Sequence, residues 1–186
     1  MCRRISNNYI THTNCNIYNI ESVFVGWKYN TVSKKIISQF KYKCSYRLSA
    51  IISDLLIKRL DETNFMKSVD PSSILIPVPI HQEHLSKRGF NQSLLIANNI
   101  SKEFNLRVVN NVLYRKGDSR YQAKLSVEER YKLKDVFYLK NKISNKNILI
   151  LDDVLTTGAT LNSVAKTLKG KQIKAITLFR GKPLYR

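Results

Sequence analysis

The string Asp152-Asp153-Val154-Leu155-Thr156-Thr157-Gly158-Ala159-Thr160 holds the residue types best suited to chemistry in this chain. Two adjacent carboxylates are followed by small and hydroxyl-bearing residues. Gly158 lets the backbone turn tightly and approach a ligand closely. Successive amides from Thr156 to Thr160, with the threonine hydroxyls, can form an anion nest at the positive end of a helix. The natural guest is a phosphate monoester. Asp152 and Asp153 can then accept hydrogen bonds from hydroxyls of the sugar that carries it. A plainer reading has the acids merely ending a strand and Thr160 merely capping a helix, but the complete string argues for phosphate. Other phosphate-binding designs are excluded: the chain has no Gly-x-x-x-x-Gly-Lys-[Ser/Thr] loop and no Gly-x-Gly-x-x-Gly fingerprint. A phospho-acceptor receiver domain carries its acidic pair near its start, whereas this pair lies near the end.

The elements that must position this string are legible around it. Ile148-Leu149-Ile150-Leu151 is apolar on both faces, as a central parallel strand is. Leu161, Val164, Ala165 and Leu168 recur at i, i+3, i+4 and i+7 and predict a helix closed by Gly170. Ala175 to Phe179 reads as a further strand, and the acids fall between the Ile148–Leu151 strand and the helix. Upstream, Ser22 to Trp27 reads as a short strand. Leu48, Ile51, Ile52, Leu55, Leu56 and Leu60 predict an amphipathic helix from about Tyr46 to Leu60. Ile74 to Pro79 reads as a buried strand stopped by proline. Phe90, Leu94, Ala97, Ile100 and Phe104 mark one face of the next helix, and Val108 to Tyr114 reads as a strand. Residues 115–135 are highly charged and read as a long loop. Strand and helix alternate, which predicts an α/β fold around a mainly parallel central sheet flanked by helices.

Composition sets the outer bounds. The chain has 186 residues, 43% of them hydrophobic, enough to bury a core and too many for wholesale disorder. No run approaches the ~18 apolar residues needed to span a bilayer, so no membrane insertion is expected. No secretory signal is visible, and three cysteines without an export signal predict a reducing, cytoplasmic setting. The formal net charge of +19 favours polyanionic partners. The excess of Lys, Asn, Ile and Tyr is also what an AT-rich gene would supply, so charge alone does not define a nucleic-acid site.

Residues Ile148 to Leu161 resemble the phosphoribosyl pyrophosphate (PRPP) binding motif of type I phosphoribosyltransferases. More narrowly, Ile76-Pro77-Val78-Pro79-Ile80-His81 with Lys87-Arg88-Gly89-Phe90-Asn91-Gln92 resembles the ComF family, whose members include competence proteins. Leu113-Tyr114-Arg115, Gln122, Leu125-Ser126 and Glu129-Arg130 resemble that family's long loop, and Phe40-Lys41-Tyr42 is similar too. The likeness covers about residues 22–180. It implies a loose N-terminal segment over residues 1–20, a reduced form of the family's zinc-ribbon region, and a phosphoribosyltransferase-like domain over 21–186.

The resemblance also implies roles. Thr156, Thr157, Gly158, Ala159 and Thr160 would hold the 5′-phosphate, and Asp152 and Asp153 the ribose hydroxyls. The loop from Ile80 to Gly89 would hold the pyrophosphate, with Arg88 as its anchor, because a guanidinium matches phosphate oxygens bidentately. Gly89 would let the backbone come close. Arg115, Gln122 and Arg130 would close over the site. His81 and His84 flank the same loop; either could serve as an acid or base, with a solvated side chain the favoured reading, while Asn91 and Gln92 would tie the loop to the following helix. Mg²⁺ is expected with PRPP, bridging its oxygens without an all-protein metal cage. Structural zinc is not expected, since Cys2, Cys15 and Cys44 form no close pair and His12 does not complete a set of four. The implied function is PRPP binding within DNA uptake, with single-stranded DNA and a competence helicase as partners. The alternative is an active phosphoribosyltransferase, a pentosyl- or glycosyltransferase acting on a nitrogenous base or amine. No base-binding hood is recognisable, so the catalytic residues stay unassigned.

Overall fold

A computed structural model describes residues 19–42, 46–115 and 136–181. Its centre is a five-stranded sheet in the order β1-β7-β6-β2-β3, built from β1 (Ser22–Lys28), β2 (Ile74–Pro77), β3 (Arg107–Val108), β6 (Asn147–Leu155) and β7 (Gln172–Arg180). Every pairing within it is parallel. Two further strands, β4 (Leu113–Arg115) and β5 (Phe137–Leu139), form a separate antiparallel ladder. The helices are α1 (Thr31–Tyr42), α2 (Tyr46–Glu62), α3 (Gln82–Arg88), α4 (Gln92–Glu103) and, between β6 and β7, α5 (Ala159–Thr167).

The apolar pattern of the strands explains the layering. Successive residues of a strand face opposite sides, so a strand that is apolar throughout needs cover on both. On one side Leu75, Leu149, Leu151 and Ile176 pack with Leu56 and Leu60 of α2 and with Ile96, Ala97 and Ile100 of α4. On the other Ile76, Ile148, Ile150 and Ala175 pack with Leu161, Val164 and Ala165 of α5. Together these layers make a type I phosphoribosyltransferase-like α/β fold. The chain leaves β2 for β3 through α4 on one face, and leaves β6 for β7 through α5 on the other. The connections therefore diverge between β2 and β6, and at such a switch point a crevice opens beyond the carboxyl ends of the strands.

Two local expectations change, and α1 is an element that the sequence reading did not include. Helix α1 carried a readable signal, because Asn30 and Ser33 cap each other: the Ser33 N–H donates to Asn30 Oδ1 at 2.9 Å and the Asn30 N–H to Ser33 Oγ at 2.6 Å. The β-branched and hydroxyl residues that open it, Thr31, Val32 and Ser33, obscure its period in the sequence. The face of α4 passes through Ser93, Ile96, Ala97 and Ile100 while Leu94 is half-buried. Asn91 caps the helix and sets this phase, so Phe90 lies before it and Phe104 at its end. The expected strand from Val108 to Tyr114 divides. The Val109 N–H closes the ladder on Leu75 O at 2.9 Å, and after Asn110-Asn111 the chain pairs with β5 instead. Finally, the expected loop is flanked by this β4–β5 ladder, while residues 116–135 lie outside the described residues.

Candidate functional site

Strand β6 carries the acidic pair inside the sheet, a correction to its expected place beyond the strand. Pairing with β2 ends at Pro77 and Leu151, with one last bond from the Val78 N–H to Leu151 O at 2.8 Å. Pro79 has no N–H with which to extend that ladder. β7, however, holds β6 in register through Asp152↔Thr177 to Leu155↔Arg180. Asp152 and Asp153 thus stay strand-bound on one side and face the β2–β6 opening on the other. Asp152 is 8% exposed, and its Oδ1 accepts the Asp153 N–H at 2.9 Å. Strand alternation from Ile148 and Ile150 puts Asp152 on the α5 side, and Asp153 is half-buried.

The turn after β6 has the expected form. Gly158 adopts φ 81° and ψ 4°, the left-handed region that L side chains resist, and serves as the N-cap of α5. Thr157 Oγ1 accepts the Ala159 N–H at 3.3 Å. The first helical bond runs from the Asn162 N–H to Gly158 O at 2.8 Å, so the amides of Thr160 and Leu161 precede the helical ladder. Thr156, Thr157 and Ala159 are exposed and Thr160 is half-buried. Amides, hydroxyls and the helix end are therefore gathered at one solvent-facing turn, where an anion is favoured.

Across the opening, the expected loop between Ile80 and Gly89 is largely helical. His81 caps α3, its Nδ1 accepting the Glu83 N–H at 3.3 Å, and Gly89 ends it at φ 77° with its N–H on Leu85 O at 2.7 Å. The freedom of Gly89 is spent on this left-handed cap, and no atom lies within 4 Å of where its Cβ would stand. Arg88 is half-buried at the last position of α3. Asn91 ties the segment down: its Nδ2 donates to Val78 O at 3.1 Å and its Oδ1 accepts the Ser93 N–H at 3.0 Å. Gln92 does not share that task. It is 2% exposed, and its Nε2 has no hydrogen-bond partner among the described residues.

Arg115, at the end of β4, rests its guanidinium 5.7 Å from the Phe137 ring centroid. It also reaches α3 electrostatically. The His84 imidazole is held below its ordinary value of 6.5 by partial desolvation first, then by the charges of Arg88, His81, Lys87 and Arg115. Arg88 and Arg115 thus both act on the His84 charge, a link the sequence reading did not make. The signal it passed over was the placement of His81, His84 and Arg88 at i, i+3 and i+7. Gln122, Arg130, His12 and the three cysteines lie outside the described residues. Among the described residues no group of three or more His, Cys, Asp or Glu side chains could hold a metal ion.

Residues 91–182 match the phosphoribosyl transferase domain family, a span that takes in α4, the acidic pair, the Thr156–Thr160 turn and β7. The chain is 32% identical over 161 residues to competence protein ComFC of Bacillus subtilis, covering 83% of this chain and 62% of that protein. It is 27% identical over 148 residues to competence protein F of Haemophilus influenzae, covering 77% of this chain and 65% of that protein. Over most of its length the chain is thus similar to competence proteins of the ComF type. DNA utilization protein YhgH of Escherichia coli K12 is 27% identical over 134 residues, covering 72% of this chain and 59% of that one. The ComF-like chain therefore spans less than two thirds of the length of each of these three relatives. No helix among its described residues is long and apolar enough to cross a membrane.

Proposed function

We propose that this ComF-like chain binds PRPP at the crevice between β2 and β6 and serves the uptake or use of DNA. The observation that carries the reading is the Thr156–Thr160 turn, with left-handed Gly158 at the start of α5 and a buried carboxylate on the preceding strand. The 5′-phosphate sits on the amides and hydroxyls of Thr156 to Thr160, and Asp152 and Asp153 accept hydrogen bonds from the ribose hydroxyls. Arg88 takes the diphosphate, with Arg115 beside it and Gln122 and Arg130 as loop contributors. Mg²⁺ suits the half-buried Asp153 carboxylate and the ligand's own oxygens. Such a hard cation keeps several waters and needs few protein ligands. When bound, it neutralises diphosphate charge.

The relatives' names, competence protein and DNA utilization protein, support the DNA role, and the charge of +19 suits single-stranded DNA as a partner. Titration calorimetry with PRPP and Mg²⁺, with and without single-stranded DNA, tests the reading. Saturable PRPP binding that weakens in Asp152→Asn and Asp153→Asn supports it, and absence of binding refutes it. DNA affinity should fall steeply with salt, through counterion release. The phosphoribosyl transferase match favours a second reading, in which the site also transfers the phosphoribosyl group to a base or amine. In that case pyrophosphate appears when PRPP is incubated with the right acceptor, and release with none of a broad panel leaves the binding reading ahead.

A further inference from the structure

We propose that the face of α3 carrying His81, His84 and Arg88, completed by Arg115 from β4, is a proton-linked diphosphate site in which His84 takes up a proton as the anion binds. The inference rests on the PRPP reading and adds regulation by pH to it.

The argument begins with helical spacing. Positions 81, 84 and 88 fall on one side of a helix, and the His81 and His84 rings stand edge to face with centroids 6.2 Å apart. Lys87 adds a charge on the same turn, and Arg115 arrives from a different element. Among the described residues, the groups acting on the His84 charge are desolvation and four cationic or imidazole side chains, with no carboxylate among them. The one acid of α3, Glu83, is exposed in the first turn. An imidazole in this company stays neutral near neutral pH. A polyanion placed over it reverses the local field, so protonation becomes favourable and the two events reinforce each other.

His81 is engaged as the cap of α3, its Nδ1 accepting the Glu83 N–H. The role therefore falls to His84. The dimensions favour a compact ligand: seven helical residues span about 10 Å, a length that suits one diphosphate better than a run of backbone phosphates. The place agrees too, since α3 follows β2 at the switch point, across from the Thr156–Thr160 turn.

The test is calorimetry of the full chain with PRPP and with inorganic pyrophosphate, from about pH 5.5 to 8, in buffers of different ionisation enthalpy. Wild type, His84→Gln and His84→Arg are compared at each pH, so that titration of the ligand itself cancels. Wild type should take up as much as about one proton on binding and tighten relative to His84→Gln as pH falls, by at most about tenfold per pH unit. His84→Gln should lose that uptake, and His84→Arg should bind tightly with no uptake across the range. Identical pH profiles in wild type and His84→Gln overturn the inference while PRPP binding itself survives. Failure of PRPP to bind wild type at any pH overturns the parent reading. If oligothymidylate shows His84-dependent uptake and neither diphosphate does, the assignment to a diphosphate is wrong.

Discussion

Asn91 offers a sharp test of how the site is held. Its side chain makes two bonds of different kinds: Oδ1 caps α4 through the Ser93 N–H at 3.0 Å, and Nδ2 reaches back 13 residues to Val78 O at 3.1 Å. Together they fasten both ends of the segment that contains α3. Losing an N-cap costs roughly 1 kcal/mol. Leaving a buried acceptor unpaired costs about 1–3 kcal/mol, and Val78 is 4% exposed. Asn91→Ala should therefore destabilise the fold by about 2–4 kcal/mol, a drop in Tm on the order of 10 °C for a domain of this size. Asn91→Ser separates the two terms, because serine caps helices about as well but is too short to reach Val78. It should recover about 1 kcal/mol relative to alanine. Urea melts with a constant slope give the free energies, and PRPP titration of the same proteins should show weaker binding in both as α3 loses its tether. Equal losses in Ala and Ser would mean the cap contributes nothing. A loss under about 0.5 kcal/mol in both would refute the account of the tether altogether.

Further outcomes follow from other contacts. Gly158→Ala places a side chain at φ 81°, which should cost about 1–2 kcal/mol in thermal melts and weaken PRPP binding more than an exposed substitution on α2 does. Thr167→Val removes the hydroxyl that donates to Phe137 O at 3.1 Å, so β5 should loosen from α5 with a loss of about 1 kcal/mol and faster amide exchange at residues 137–139. Because the folded-state pKa of His84 is depressed, the folded ligand-free protein binds fewer protons than the unfolded chain. Its stability should therefore decline as pH falls from about 7 through the range below 6.5, and His84→Gln should flatten that slope. Asp70 is also lowered, by the Ser72 hydroxyl first and then the Ser72 amide, so its own contribution should disappear only as pH falls below 3.8.

The sequence by itself determined the layering and the Gly158 turn. Leu149 and Ile150 are apolar on both sides of one strand, and only a parallel sheet covered twice satisfies them. Gly158 amid threonines, between that strand and a periodic helix, specifies a left-handed bend that presents amides. These signals are local, set by neighbours a few residues away. The tertiary structure decided the rest. Asp152 and Asp153 lie within the strand because β7 continues beside them after proline has ended pairing with β2, a fact of two partners distant in sequence. Helix α3 depends on an unusual histidine cap, and a seven-residue helix has too few turns to display a period. The charge of Arg115 reaches His84 only once the β4–β5 ladder is in place, and an influence between residues 31 positions apart leaves no mark on spacing or composition. What lies within one turn of helix or one strand is written in order along the chain; which charges share a field is fixed only when the strands are laid side by side.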